Sequence, residues 1–385
     1  MTSLLEPTTP SAGAHRDGSL PAGSQPAKSI LPDTASSSSA DRAVKRERVL
    51  GILDAAGADA IRLTSHAAIA WYLDGARTHV SLMGDPVLAV QVDRDRDVIS
   101  VFTNEAERMT REELPGDAEV IPVPWAGSLA SAFPVRGQTL AEADVAAQLR
   151  AARGSLLPTE LARYRELCGE AASAVSDAIF GAQPGMTERE LAAHLGFALL
   201  SRGIDPVVIL VAGQSRLAVR HPLPTEAALG ERTMVVVCGR RHGMIANVTR
   251  WVTFTRPDGA LRDATARILE VEADTFDATV PGAAMTEVFS ALTSAYGERG
   301  FAADEWMNHH QGGAAGYNGR DPRVVATVPD VVQLGQPFAW NPTAPGVKVE
   351  DTVLLSAEGI VPLTTDLRWP TVTVRGRERP DELQL

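Results

Sequence analysis

Four short segments concentrate side chains that can carry protons, hold charge or ligate metals. The first contains Arg220 and His221, followed by Pro222 and Pro224. The second runs through His242, Asn247, Thr249 and Arg250, and the third through Asn308, His309, His310, Gln311, Gly312, Gly313 and Tyr317. The fourth joins Asn341 and Pro342 to Lys348, Glu350 and Asp351. An imidazole titrates near neutral pH, so His221 is suited to take a proton and return it, and an imidazole beside a carboxylate can hold a divalent cation. Taken singly, Asn341 before a proline is a turn signal, and Lys348 to Asp351 reads as a solvated strand end. Neighbouring side chains on a strand point to opposite faces, so at most one of His309 and His310 is expected in a shared pocket. The glycines after them leave room for a ligand or a second backbone.

Positioning these segments requires a folded scaffold, and 385 residues with 44% hydrophobic content suffice for two domains. Residues 1–40 are rich in Ser, Pro, Thr, Ala and Gly without periodicity, and are expected to be a disordered leader. A helix is predicted from Asp41 to Ala56, then short strands near 60–63, 87–92, 98–102 and 120–123 with a helix from 140 to 151. They describe an α/β domain over 41–155. A second domain, 158–378, opens with an amphipathic helix from Thr159 to Gly181. Thr187 and Glu190 form a capping-box pair that starts the next helix. Strands follow near 207–212, 233–238 and 249–255, then two helices between 260 and 299 and strands near 336–341 and 351–355. The order is that of a duplicated ααββ unit around a curved antiparallel sheet.

Lys+Arg 36 against Asp+Glu 48 gives a net charge of −12, which disfavours a phosphate-tracking surface and hence nucleic acid as a partner. Two cysteines, Cys168 and Cys238, make neither a disulfide framework nor a four-thiolate zinc site. No apolar run approaches a membrane span, and a cytoplasmic protein is expected. Lysine occurs only at Lys28, Lys45 and Lys348, which leaves little basis for lysine catalysis or a phosphate-binding P-loop.

In order along the chain, the motifs resemble those of the creatinase / aminopeptidase P / methionine aminopeptidase family. Gly185 to Leu191 is similar to its helix-opening segment, and Asn247 to Arg250 to its Asp-x-Thr-Arg. His310 to Gly313 is similar to its His-Gly-x-Gly, Asn341–Pro342 to its Glu-Pro, and Gly346 to Val353 to its Gly-x-Arg-x-Glu-Asp-x-Val. The resemblance covers roughly residues 158–375. It implies an α+β class pita-bread domain after a smaller creatinase-type α/β domain, and a homodimer.

Peptidases of that family hold two divalent metals with Asp, Asp, His, Glu and Glu. At the matching positions this chain has Val236, Asn247, His310, Asn341 and Glu350. Amide oxygens are weak ligands that compensate no charge, and valine offers none, so no dinuclear metal site and no cofactor are expected. Creatinase shows that the family supports metal-free hydrolysis. The resemblance therefore implies a metal-independent hydrolase that cleaves a C–N bond of a small polar substrate. His221 would be its general acid and base, assisted by His310 and Glu350. Asn247, Asn341, Tyr317, His309, Arg77 and Arg250 would bind substrate, with Arg77 reaching the partner subunit's cleft. The alternatives are a metal-dependent Xaa-Pro aminopeptidase or prolidase, and a non-catalytic pita-bread binding protein.

Overall fold

The computed structural model describes residues 39–256 and 258–385, so all but the last two residues of the expected leader lie outside the described residues. The first half comprises α1 (Ser39–Ala56), β1 (Ala60–Leu63), α2 (His66–Tyr72), β2 (Leu88–Asp93), β3 (Asp97–Phe102), α3 (Ala106–Glu112), β4 (Glu119–Val123), β5 (Thr139–Ala141) and α4 (Ala146–Gly154). Its five strands form one mixed sheet in the order β4-β3-β2-β1-β5. The helix expected over 140–151 starts later, because Thr139 to Ala141 pairs in parallel with β1. Cross-strand pairing there overrides a helical pattern of apolar residues.

The second half begins with α5 (Pro158–Ile179) and α6 (Glu188–Leu200), followed by β6 (Asp205–Ala212), β7 (Arg232–Arg241) and β8 (Met244–Thr253). The unit then repeats with α7 (Gly259–Ala278), α8 (Met285–Glu298), β9 (Gly312–Ala314), β10 (Pro337–Trp340), the short pair β11 (Thr343–Ala344) and β12 (Val347–Lys348), β13 (Asp351–Ser356) and β14 (Gly359–Pro362). A final hairpin, β15 (Thr371–Val374) and β16 (Arg377–Pro380), precedes β17 (Leu383–Gln384). The large sheet has the order β6-β7-β8-β13-β10-β9, with β14 added on β13 and β17 on β8. This is the duplicated ααββ architecture.

Local chemistry explains the helix starts. Pro158 occupies the first turn of α5, and Glu160 accepts from the Leu157 N–H at 2.9 Å. The Thr187–Glu190 box opens α6 as expected: Glu190 accepts from the Thr187 N–H at 2.7 Å, and the Glu190 N–H donates to the Thr187 hydroxyl at 3.2 Å. Leu167, Cys168, Ala171 and Val175 of α5 share a core with Val235 and Val237 of β7 and Val248 and Val252 of β8. Alternation along those strands turns Met234, Val236, Asn247, Thr249 and Trp251 to the opposite, concave face.

An ion cluster with a fully buried Lys45, Asp74 and Glu160 at its centre ties the first half to α5. Lys45 contacts Asp74 at 2.8 Å and Glu160 at 2.9 Å, Arg163 also pairs with Asp74, and the Tyr317 hydroxyl donates to Glu160 at 2.6 Å. Tyr317 therefore belongs to this cluster and the core, with 3% exposure, and does not line a substrate site as expected. The glycine at Gly243 and the left-handed His242 (φ 51°) make the β7–β8 turn, which packs against Gly75.

Replacing Lys45 by Met would leave the buried Glu160 without its cation while Asp74 keeps Arg163, and a loss of about 3–5 kcal/mol is expected in urea denaturation. His242 supplies a pH test. Burial, then Arg163 and Arg241, push its pKa down to about 4. The folded state thus binds its proton less well than the unfolded chain, and stability falls as pH drops below about 6.5. Between pH 7 and pH 5 this group alone costs about 2 kcal/mol, and His242→Asn, which tolerates the left-handed backbone, is expected to remove that slope from pH-dependent melting curves.

Candidate functional site

On the concave face the sheet presents Asn247, Thr249 and, from the chain entering β13, Glu350. Glu350 is 2% exposed and fully engaged. Lys348 Nζ lies 3.0 Å from Oε2, Arg320 Nη2 lies 2.5 Å from Oε1, and the Thr249 hydroxyl donates to Oε2 at 2.8 Å. Burial alone would raise this carboxyl's pKa, but the two cations outweigh it and hold the group ionised well below the usual range. Lys348 to Asp351 is accordingly not a solvated strand end, because all four residues are buried. Arg320 also donates to Asn247 Oδ1 at 2.8 Å, and Cys238 Sγ–H reaches the same oxygen at 3.3 Å.

Beside this centre three imidazoles converge. The ring centroids of His221 and His309 are 4.8 Å apart, those of His309 and His310 4.4 Å, and those of His221 and His310 5.9 Å. The expectation that only one of His309 and His310 could face a shared pocket is corrected. His309 ends a short 3₁₀ turn (Glu305–Asn308), and both histidines precede β9, so strand alternation does not govern them. Gln311 holds the segment, donating to the carbonyls of Trp306 at 2.9 Å and His309 at 2.7 Å while accepting from the Tyr296 hydroxyl at 2.7 Å. Gly312 and Gly313 serve backbone packing: a Cβ there would meet Ala339 O at 2.2 Å and Pro322 O at 2.3 Å.

His221 lies on the loop between β6 and β7. Glu188 braces that loop by accepting from the Gly213 N–H at 2.9 Å, the Thr225 N–H at 2.9 Å and the Thr225 hydroxyl at 2.7 Å. Arg220 ties it to the other half of the site through Thr343 at 3.1 Å and an ion pair with Glu305. His221 itself is exposed, whereas His309 is buried. Burial, then Lys348 and the neighbouring His221, push the His309 pKa down to about 3; burial, His309 and Arg320 do the same to His310, also to about 3. The pKa of His221 is lowered by burial and Lys348.

Two other expected site residues, Arg250 and Tyr317, are elsewhere. Arg250 points to the helix face of the sheet, donating to Asp351 at 2.9 Å and the Thr364 carbonyl at 2.6 Å, so it cannot bind substrate in the cleft. Arg77 spends its guanidinium on Glu112 and Glu113 of the first half. Tyr317 is in the core, as above. Asn341 is buried, with its N–H on the Gln311 carbonyl at 3.2 Å and its Oδ1 without a partner. Sequence reasoning missed Arg320, which follows Gly319 in a loop with no periodic or motif signal. Lys348 carried one signal, its rarity as one of three lysines.

The curved duplicated sheet, with a polar centre on its concave face, defines a pita-bread protein. Residues 162–357 match metallopeptidase family M24, and the chain belongs to that family. It is 25% identical over 215 residues to the Xaa-Pro dipeptidase of Pyrococcus horikoshii, a match covering 53% of this chain and 61% of that protein. It is 26% identical over 188 residues to the probable dipeptidase PepE of Mycobacterium tuberculosis, covering 46% and 50%. Thus the chain matches about half to three-fifths of the length of these relatives. Its fold is similar to that of the P. horikoshii prolidase (TM-score 0.69, 19% identity, 84% of this chain and 99% of that one). The dipeptidase PepE of Mycobacterium ulcerans is comparable (TM-score 0.70, 17% identity, 91% and 98%). These matches overturn the expectation of a metal-independent creatinase-type hydrolase: the family is one of metallopeptidases, and these relatives are named as dipeptidases.

The family's metal pair nevertheless does not fit the residues at its own positions. Both Glu350 oxygens and Asn247 Oδ1 are taken by cationic side chains, and Val236 packs with Leu210, Met234 and Trp251 in an apolar cluster. Glu350→Gln would leave Lys348 and Arg320 buried against a neutral amide, and a loss of about 3–5 kcal/mol is expected in chemical denaturation. Lys348→Met should lose less, because Arg320 still neutralises Glu350.

Proposed function

We propose that this protein is a hydrolase of short peptides, with dipeptides of the Xaa-Pro type as the substrate class. The observation that carries the reading is a net positive charge on the concave face of the sheet. Lys348 and Arg320 face a single carboxylate, Glu350, and Arg323 adds to the field at His221 and His310. Such a centre attracts a small anion, and the nearest anionic group of a dipeptide is its own carboxylate. Family membership and the names of the relatives support the peptide bond as the target.

The chain's own residues would then bind and orient. Asn341 offers an unpartnered Oδ1 to a substrate N–H. His221, exposed at the mouth, can hydrogen-bond the incoming peptide, while the buried His309 and the half-buried His310 stay neutral at pH 7. Val236, Asn247, His310, Asn341 and Glu350 together do not supply the charge compensation a metal pair needs. Loss of the family's ligands there favours a second reading, a peptide-binding protein without turnover.

The two readings separate in one assay. The protein, as purified and after incubation with Zn, Mn or Co, is given Leu-Pro, Met-Pro, Leu-Gly and a pentapeptide, and free amino acids are quantified by chromatography. Release from the dipeptides, fastest from the Pro pair, is expected. Saturable dipeptide binding without release under any metal condition would establish the second reading instead.

A further inference from the structure

We infer that His221, His309 and His310 form a mononuclear site for a borderline transition-metal ion such as zinc or cobalt, displaced from the position the family uses. One ring nitrogen from each histidine lies within 4.8 Å of the others, and among the described residues this is the one group of three or more His, Cys, Asp or Glu side chains so arranged. The inference extends beyond the proposed peptidase reading and does not depend on it.

The ring chemistry is set for ligation. His309 Nδ1 is 2.6 Å from the His310 carbonyl, which can only accept, so the proton is on Nδ1 and the Nε2 lone pair accepts from His221 Nε2–H, a proton that a bound ion would displace. A carbonyl holding the remote nitrogen is the orienting contact that metal-binding imidazoles use. The two Nε2 atoms lie 3.1 Å apart, and nitrogens about 3.3 Å apart are what one ion with bonds of about 2.0–2.1 Å requires. His310 Nδ1 is shielded from solvent and has no hydrogen-bond partner, an unmet group whose ring stacks on His309. Binding one ion would draw nitrogens now up to 4.8 Å apart to about 3.3 Å, by rotation of the imidazole side chains. Three neutral nitrogens without a carboxylate favour zinc, cobalt or copper over calcium or magnesium, which take oxygen.

Two features shape the site further. Glu350 is not available as a ligand, because Lys348, Arg320 and Thr249 occupy its oxygens. The cations nearby oppose a divalent ion, so binding should be weaker than in structural zinc sites, and the same field favours an anionic oxygen as fourth ligand. The exposure of His221 leaves that position open to solvent or to a substrate carboxylate.

The test uses the full chain, stripped with chelator and then freed of it. Titration with Zn(II) by calorimetry, with elemental analysis, is expected to give one equivalent per chain. Co(II) should produce the visible absorption of a four-coordinate, nitrogen-rich site. His221→Ala, His309→Ala and His310→Ala should each weaken binding by about 100-fold or more, whereas His194→Ala, an exposed histidine on α6, should leave it unchanged. Should a variant fail to fold, as judged by circular dichroism, electron paramagnetic resonance of the Cu(II)-loaded wild-type protein decides. Imidazole nitrogen coupling supports the site, and its absence overturns it. No binding, two equivalents per chain, or undiminished binding in the folded variants would also overturn it.

Discussion

Two adjacent carboxylates, Glu350 and Asp351, govern both faces of the large sheet. Successive residues of an extended chain point in opposite directions, so one backbone position serves both sides. Glu350 faces the concave surface and gathers Lys348, Arg320 and Thr249. Asp351 faces the helices and takes Arg250 at 2.9 Å, Arg379 at 3.0 Å and the Thr364 hydroxyl at 2.6 Å. Arg379 in turn pairs with Glu272 of α7. Each of these buried carboxylates is matched by at least one cation, as desolvation demands, so the cleft and the helical layer cannot shift independently without stranding an ion.

This constraint shows how the family's centre has changed while its frame has not. In place of metal cations balanced by several carboxylates, the cleft balances fixed side-chain cations against one carboxylate. A guanidinium and an ammonium cannot act as Lewis acids, but they preserve a cationic pole. The three histidines beside that pole are held by contacts remote from the old ligand set: Glu188 braces the His221 loop, Gln311 the His309–His310 segment, and Arg220 joins the two. Of these residues, only His310 stands at one of the family's metal positions.

Much of the frame was readable in the chain. The β1 limits, the Thr187–Glu190 helix start, the long α5 and the two ααββ units follow from periodicity and capping, which depend on near neighbours. The misreadings share one cause. Tyr317 and Arg250 look like binding groups in a motif, but their partners Glu160 and Asp351 are distant in sequence. A polar side chain declares its type locally and its partner only after folding.

The sequence alone determined the class of fold, the ordered motifs, and the absence of carboxylates at Val236, Asn247 and Asn341, because residue identity and short-range spacing suffice for each. The tertiary structure alone decided that Arg320 closes on Glu350 and Asn247, and that His221 meets both His309 and His310. Those contacts span 30, 73 and 88 residues of chain. Periodicity does not encode contacts at such separations; the curvature of the sheet and the bracing of its loops bring them together.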